Sequence, residues 1–390
     1  MIIFSELQMQ GDKHVHVNSG LLNIVKTSFD KQEILVFCDH IHKDKLLKYV
    51  ADSDLLHFST FVHTGVKELK KRASLSKTLR ESFLAYKIFR IAMKNKAELI
   101  VFASAFPFTA LFLNLFSKIF KQRIIVCLHG DLGVLSLKRN KPTTVIFRSA
   151  IKFFFKNRGL KTIVLFYGKS IEEGLFKMFS DYEKKNVISI DHPYNYDRQT
   201  NYDEPSLGTK VTVANIGTGL MNKNSQLLYR LSELQKNNII NNKIKFIQIG
   251  NVSKEVLSYS NKYVEILNNN EFIPFEIFEE NIKKADYFIY FFTKNSVYDL
   301  CPSGTFFDAI KYRKPIISLH NPFFDYYFKK LGNIGYLCDS VEEMDQIINS
   351  ILAGKDDVYL EQMDALAKAT ALLSIDKIQK SFLEQYSNIN

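Results

Sequence analysis

The stretch that decides the fold of the second half runs from Cys301 to Leu319 and reads CPSGTFFDAIKYRKPIISL. It predicts a short loop, a helix of three turns and a buried strand. Ser303 can cap the helix, and the Lys314–Pro315 step ends it because the residue before a proline avoids helical geometry. The apolar run 316–319 fits a strand that is covered on both faces.

The start of this helix is also a candidate anion site. Ser303, Gly304 and Thr305 lie at its first turn, where free backbone N–H groups and the positive end of the helix dipole favour an anion. Asp308 follows a little over one turn later and could hold hydroxyl groups. These residues suit a nucleoside diphosphate ligand, although an ordinary connection between two strands explains the pattern equally well.

A second candidate loop follows the first predicted strand of the second half, where the chain reads VANIGTGLMNKNS from Val213 to Ser225. Gly217 and Gly219 allow backbone N–H groups to approach a phosphate closely, and Lys223 could neutralise its charge. Asn251 follows the next predicted strand and would lie over the same site. A strand–glycine–helix turn is weak evidence by itself, and the loop at 301–319 strengthens it.

The two loops together resemble the donor-site motifs of GT-B glycosyltransferases, especially those of family 4. Asp308 and the run KPII at 314–317 match the family's acid and its following strand, and Lys223 matches the lysine that contacts the donor diphosphate. The family's first glutamate is missing, since Leu300 stands eight residues before Asp308. The resemblance implies a transferase that moves a sugar, in particular a hexose, from a nucleotide diphosphate sugar to a hydroxyl group of a lipid-linked or cell-surface polysaccharide, such as lipopolysaccharide or capsule.

In the first half, a hydrophobic strand ends in His129, Gly130 and Asp131. Sheet proteins of this class place reactive groups at the carboxyl ends of their strands. Asp131 could therefore act as a general base on the acceptor hydroxyl, and His129 could orient the sugar or take the proton itself. The resemblance adds that GT-B enzymes often carry His-Gly here, facing the transferred sugar. Structural roles in the turn explain both residues equally well.

The first loop, residues 11–20, predicts acceptor contacts at His16 and Asn18. His14 and His16 could also bind a metal, but no further ligand is nearby, so we expect neither a metal nor a cofactor. The segment His192–Asn195 resembles the interdomain turn of GT-B enzymes, and a role as a hinge explains it equally well.

Predicted strands and helices alternate in both halves, which indicates parallel sheets with helices on both faces. Strands are expected at 2–7, 33–38, 55–61, 98–103, 123–128, 162–166, 187–190, 211–216, 244–249, 263–267, 287–292, 315–319 and 335–338. Helices are expected near 18–29, 75–96, 107–121, 144–158, 170–180, 223–236, 253–260, 275–284, 303–313, 322–331 and 341–353, and over the last thirty residues. The expected fold class is therefore α/β, with two tandem Rossmann-like doubly wound domains (GT-B) and an interdomain cleft. We expect an acceptor-binding domain over 1–195, a linker over 196–210, a nucleotide-sugar-binding domain over 211–374, and a last helix over 375–390 that returns to the first domain.

Charge is distributed unevenly along the chain, which has a net charge of +11. Residues 65–165 contain 21 basic and 4 acidic side chains. Together with the Phe-rich helices expected there, this predicts contact with an anionic membrane surface. We expect no nucleic-acid partner, because no groove-reading module is recognisable. The uncharged run 99–117 is interrupted by Pro107 and predicts a strand and a helix rather than a membrane span.

Four widely spaced cysteines in apolar runs indicate reduced thiols, and hence a cytoplasmic protein at the inner face of the membrane. Two other functions fit the sequence. The missing glutamate is compatible with a non-catalytic GT-B-like subunit that anchors a partner enzyme to the membrane. A nucleotide-sugar epimerase has a similar fold and would need further acids and bases in the cleft.

Overall fold

The computed structural model describes residues 1–51, 54–62, 75–128, 130–137, 141–180, 182, 184–196, 208–267, 275–354 and 358–389. The chain divides into two compact units. The first contains Met1–Asn195, Leu300–Pro302 and Leu373–Asn390, and the second contains Tyr196–Asp299 and Ser303–Leu372.

The strands of the first unit are β1 (Ile2–Ser5), β2 (Ile34–Asp39), β3 (Leu56–Phe61), β4 (Leu99–Phe102), β5 (Ile124–Cys127), β6 (Thr162–Tyr167) and β7 (Val187–Ile190). Those of the second unit are β8 (Val211–Ile216), β9 (Ile244–Ile249), β10 (Val264–Leu267), β11 (Tyr287–Tyr290), β12 (Ile316–Leu319) and β13 (Gly335–Cys338). Each of these strands was predicted from the sequence within two residues at either end.

The helices are α1 (Val15–Ser28), α2 (His40–Leu46), α3 (Leu75–Lys94), α4 (Pro107–Ile119), α5 (Pro142–Lys156), α6 (Lys169–Met178), α7 (Leu227–Leu234), α8 (Lys236–Ile240), α9 (Lys254–Leu257), α10 (Phe275–Lys283), α11 (Gly304–Lys311), α12 (Pro322–Leu331), α13 (Val341–Leu352), α14 (Tyr359–Leu372) and α15 (Ile375–Ser387). Short 3-10 turns lie at Asp131–Leu135, Met221–Lys223 and Val297–Asp299.

The first unit is built on a parallel sheet of seven strands in the order β3-β2-β1-β4-β5-β6-β7. Phe4 pairs with Val36 of β2 on one side and with Val101 of β4 on the other. β1, β4 and β5 are buried along their whole length, because helices cover both faces of the sheet. The chain reverses its direction of travel across the sheet between β1 and β4, so the topological switch point lies there.

The second unit repeats this design with six parallel strands in the order β10-β9-β8-β11-β12-β13. Its switch point lies between β8 and β11, and ligands of open α/β sheets bind beyond the carboxyl ends of the strands at such a point. The predicted fold class, two tandem Rossmann-like domains, is confirmed.

The last helix, α15, belongs to the first unit. Phe382 is fully buried in the core between α1 and the sheet. The Gln385 side chain exchanges two hydrogen bonds of 2.8 Å with the backbone of Ser189 in β7. α15 therefore packs against the unit that contains the N-terminus.

Three helical details differ from the sequence prediction. α2 was not predicted; it begins where Asp39 caps the amides of Ile41 and His42. The single helix expected over 223–236 is divided, because Asn224 has a φ of 54° and ends a 3-10 turn before α7 begins. Ser303 occupies the N-cap position of α11, but its side chain does not cap a backbone amide.

The uncharged run 99–117 forms β4 and most of α4. Within the described part of the chain, no helix is both long enough and apolar enough to cross a membrane.

Candidate functional site

The glycine loop of the second unit is fixed by the strand next to it. Gly217, directly after β8, has a φ of +88°. Its N–H donates to the Ile249 carbonyl at 2.8 Å, and its own carbonyl accepts from the Gln248 side chain at 2.9 Å. Gly219 N–H then donates to the Asn251 carbonyl at 2.7 Å. The loop therefore has a defined position at the carboxyl ends of β8 and β9.

Gly250 has to be a glycine for this loop to close. Its φ is +127°, and an added Cβ would lie 2.4 Å from the Gly217 carbonyl oxygen. No side chain is accommodated at that distance, so the two glycines specify each other's position.

Lys223 lies at the end of the 3-10 turn that follows this loop. The next residue, Asn224, donates from its side chain to the Phe291 carbonyl at 3.0 Å and to Thr293 Oγ1 at 3.2 Å, beyond β11. Lys223 is thereby held at the switch point between β8 and β11. Its Nζ is 3.7 Å from the position that a Cβ would take on Gly217.

The start of α11 meets the glycine loop at this same place. Thr305 Cγ2 lies 3.1 Å from the Cβ position on Gly217. The Tyr290 hydroxyl donates to the Thr305 carbonyl at 2.7 Å, and Ser303 Oγ lies 3.1 Å from Thr305 Oγ1. The backbone of the first turn of α11 is thus anchored to β11, and Gly304 is exposed with nothing within 4 Å of its Cβ position.

Asp308 is half-buried one turn into α11. Its charge acts on Tyr290: burial raises the pKa of Tyr290 well above its usual value, the bond to Thr305 opposes this, and Asp308 raises it further. Asp308 also lies three residues after Thr305 in α11, so the two residues share a face of the helix.

The residue eight positions before Asp308 is apolar and inaccessible. This residue, Leu300, is 1% exposed and belongs to the core of the first unit. The neighbouring Asp299 is already hydrogen-bonded, because its carboxylate accepts from the Asn295 amide at 2.9 Å and from the Asn321 side chain at 3.1 Å. Burial raises the pKa of Asp299, and these hydrogen bonds oppose the rise.

The second unit therefore brings together Gly217, Gly219, Lys223, Gly304 and Thr305, which the sequence had suggested from two separate loops. A lysine ammonium and a helix start are groups that bind phosphates. The N–H groups of Gly217 and Gly219, which the sequence suggested for phosphate contact, donate instead to the carbonyls of Ile249 and Asn251. Asn251 lies at the edge of the loop with an exposed side chain, and its carbonyl is used by Gly219. Among the residues described, no three of the His, Cys, Asp and Glu side chains are placed to hold a metal ion.

In the first unit, Asp131 is the first residue of the 3-10 turn after β5. It is half-buried, and Gly130 before it has a φ of +70°. The other predicted catalytic residue, His129, lies outside the described residues. Asp131 thus occupies the carboxyl end of a central strand, as expected.

The structure corrects the role predicted for Asn18. Asn18 is 1% exposed, and its side-chain amide lies 3.0 Å from both Glu6 Oε2 and His42 Nε2. Glu6, itself fully buried, also accepts from Ser104 Oγ at 2.5 Å. This network fills the switch point between β1 and β4, so the burial of Asn18 does not support acceptor contact.

His16 packs in an aromatic environment on the inner side of α1. Its ring stacks on Tyr194 with the centroids 4.9 Å apart and meets Tyr49 edge-on at 4.7 Å. His192 lies nearby and is buried; burial, and then the charges of His14 and His16, lower its pKa to about 3. His192 is therefore neutral at physiological pH.

Two supporting residues were not predicted from the sequence, namely Gln248 and Asn224. Gln248 lies within a strand that reads as wholly buried, and Asn224 within a stretch that reads as helical. Only the Asn-rich run at 222–224 hinted at a turn. Their function depends on partners in other strands, which the sequence pattern does not specify.

Comparison with known proteins supports the fold. No family model and no curated protein matches the chain. Among solved structures, HepE (Alr3699) from Anabaena in complex with UDP-glucose has a TM-score of 0.65 and 14% identity, with 100% of both chains covered. Sucrose-phosphate synthase from Thermosynechococcus elongatus has a TM-score of 0.67 and 13% identity, with 100% of this chain and 99% of that chain covered.

The lipopolysaccharide outer core galactosyltransferase WaaB also matches, with a TM-score of 0.60 and 13% identity over 99% of both chains. At such low identity these likenesses show the fold and not the activity. The chain has two Rossmann-like domains that match the GT-B fold of these structures, as the resemblance predicted.

Proposed function

We propose that the chain is a glycosyltransferase that moves a sugar, a hexose in particular, from a nucleoside diphosphate sugar to a hydroxyl group of a lipid-linked or polysaccharide acceptor. The observation that carries the proposal is the meeting of the Gly217 loop, Lys223 and the start of α11 at the switch point of the second unit. A solved structure with this fold supports it, because HepE was crystallised with UDP-glucose.

The donor binds to the second unit in this proposal. Its diphosphate lies beside the glycine loop at Gly217 and Gly219, where no side chain stands in the way, and against the first turn of α11 at Gly304 and Thr305. The Lys223 ammonium pairs with the phosphate oxygens. Asp308 accepts hydrogen bonds from hydroxyl groups of the nucleotide, with Ser303 and Asn251 at the margins of the site.

Catalysis in this proposal comes from stabilising the departing diphosphate and from removing one proton. The acceptor oxygen attacks the anomeric carbon, and the bond from that carbon to the phosphate oxygen breaks. Lys223 and the positive end of α11 stabilise the negative charge that develops on the diphosphate. The acceptor proton passes to the Asp131 carboxylate, which the first unit supplies with the acceptor. No metal is needed, since Lys223 and the helix end carry the phosphate charge.

The transfer is proposed to invert the anomeric configuration. Leu300, apolar and buried, occupies the position at which the retaining family 4 pattern has a glutamate. A single displacement that uses Asp131 as base needs no group at that position. The apolar Leu300 also favours the second candidate function, a non-catalytic GT-B-like subunit that binds the nucleotide sugar and anchors a partner enzyme.

A panel of nucleotide sugars, assayed for release of free nucleoside diphosphate, separates the two candidates. Release that requires an acceptor indicates a transferase, whereas binding without release indicates the non-catalytic subunit. Lys223→Ala and Asp308→Ala should each weaken UDP binding in calorimetry, while Lys236→Ala, an exposed lysine of α8, should not. Unchanged UDP affinity in both site variants would remove the donor site from the second unit.

We also propose that the first unit docks on an anionic membrane at the cytoplasmic side, near its acceptor. The helices α3, α4 and α5 pack side by side. They expose many large apolar side chains, which are Leu79, Phe83, Met93, Phe112, Leu115, Ile119, Val145, Ile146 and Phe153. The same helices expose basic side chains at Lys87, Arg90, Lys94, Lys118, Lys152 and Lys156.

Such a surface gains from apolar burial in the lipid interface and about 1 kcal/mol for each basic side chain near anionic lipid. Co-sedimentation with vesicles should therefore increase with the anionic lipid fraction and decrease with salt. Phe153→Ser should weaken vesicle binding. The control Ile240→Ser, at a similarly exposed position of the second unit, should not. Equal binding to neutral vesicles, or none, contradicts the proposal.

A further inference from the structure

We infer that Tyr298 is a positioning residue that holds the Lys223 ammonium at the glycine loop. This inference rests on the proposed donor site and adds a residue that no sequence motif indicated. Lys223 Nζ lies 5.9 Å from the centre of the Tyr298 ring and 3.7 Å from the position that a Cβ would take on Gly217.

The Tyr298 ring rests on a rigid platform. It stacks on Phe292 with the ring centres 3.9 Å apart and the planes 9° from parallel. Phe292 is 3% exposed and packs against Tyr290 and Phe324 in the core of the second unit. One face of the Tyr298 ring is therefore covered by buried aromatic side chains.

The backbone that carries Tyr298 is fixed as well. Tyr298 lies in the 3-10 turn Val297–Asp299. Asp299, the next residue, accepts from the Asn295 amide and the Asn321 side chain, and Asn321 in turn caps α12. The Asp299 carboxylate therefore ties this turn to Asn295 and Asn321.

The consequence for Lys223 follows from the chemistry of the two groups. A cation is attracted to the face of an aromatic ring, and tyrosine provides this without a competing negative charge. A lysine side chain has many rotamers, and holding it near its bound position reduces the entropy lost when a diphosphate arrives. An acid in place of Tyr298 would instead pair with Lys223 and compete with the phosphate. The aromatic ring orients the ammonium without adding a negative charge beside it.

The test compares UDP with inorganic pyrophosphate, both titrated calorimetrically into the full chain. Tyr298→Leu should weaken both ligands by the same factor, about three- to tenfold. Tyr298→Phe keeps the ring and should bind both as the parent does. In a Lys223→Met background, where no ammonium remains, Tyr298→Leu should have no further effect. If the leucine variant does not fold, Tyr298→Met provides the same comparison with a side chain of similar length.

Three results would overturn the inference. Weaker binding of UDP with unchanged pyrophosphate would mean that the ring contacts the nucleoside. A loss that persists in the Lys223→Met background would mean a merely structural role, and an unchanged affinity in Tyr298→Leu would mean no role. The proposed donor site is tested separately: it fails if Lys223→Met alone leaves UDP affinity at the parent value, whatever Tyr298 does.

Discussion

The contact between Gly250 and Gly217 makes the donor loop sensitive to a single methyl group. Gly250→Ala would put a Cβ 2.4 Å from the Gly217 carbonyl oxygen and 2.7 Å from its carbon. The backbone must shift, because neither atom belongs to a flexible side chain. The carbonyl that moves is the one that accepts from the Gln248 side chain at 2.9 Å, so this hydrogen bond is disturbed too.

The expected magnitude has two parts. An L-residue at a φ of +127° costs about 1–3 kcal/mol in backbone strain. Displacing a packed carbonyl and weakening its hydrogen bond adds about 1 kcal/mol or more. We therefore expect Gly250→Ala to lower the free energy of unfolding of the second unit by about 2–4 kcal/mol.

The matched control is Gly332→Ala. Gly332 also has a positive φ, +85°, but nothing lies within 4 Å of its Cβ position. Gly332→Ala should show only the backbone strain, about 1–3 kcal/mol, without the added cost of a displaced carbonyl. Urea unfolding gives the two free energies, and calorimetry below the unfolding transition gives UDP affinity. We expect Gly250→Ala to lose at least about tenfold in affinity, the equivalent of one misplaced hydrogen-bonding group, and Gly332→Ala to lose none.

Two results would refute this reasoning. If Gly250→Ala destabilises the chain no more than Gly332→Ala does, the close approach to Gly217 does not exist in solution. If it is destabilised but binds UDP with the parent affinity, the Gly217 loop is not part of the nucleotide site.

Three further predictions concern the first unit. The pKa of His192 is lowered from 6.5 to about 3, so below pH 6.5 the unfolded chain binds more protons than the folded chain and stability falls as the pH drops. His192→Gln should therefore reduce the difference in unfolding free energy between pH 7 and pH 5 by about 2 kcal/mol, measured by urea unfolding. An unchanged pH profile contradicts this. Phe382→Ala, at a fully buried position, should lower the free energy of unfolding by about 3–5 kcal/mol. The control Leu372→Ala, at a position that is 51% exposed, should lower it by less than about 0.5 kcal/mol. Equal losses would show that α15 does not pack on the first unit. Asp131→Asn should lower turnover by about 100-fold or more while UDP affinity is kept, and near-parent turnover, or a retained anomeric configuration in the product, rules out the inverting base.

The strands could be predicted from the sequence because parallel strands covered on both faces need short runs of β-branched and aromatic residues. The runs VISI at 187–190 and VTVANI at 211–216 are such cases, and turn residues bound them. The helix α2 could not be predicted in this way. It has seven residues, and its main signal is the cap at Asp39 rather than an apolar period.

The candidate site could be predicted only in part, for a physical reason. Glycines and a lysine after a strand identify loops that suit phosphate, but not whether two loops meet. That depends on the order of the strands, which places β8 beside β11. Asn18 is a second example. Its residue type suggested a ligand contact, but its side-chain amide donates to the buried Glu6, which the sequence pattern does not specify.

The most direct test of the central claim is the location of UDP on the protein. The chain has 16 glycines, and selective ¹⁵N-glycine labelling reports on them individually in an amide correlation spectrum. We predict that UDP shifts the signals of Gly217, Gly219 and Gly304 and leaves those of Gly332 and Gly354 in place. Shifts confined to other glycines, or no shifts at saturating UDP, would contradict the claim that these loops of the second unit bind a nucleoside diphosphate.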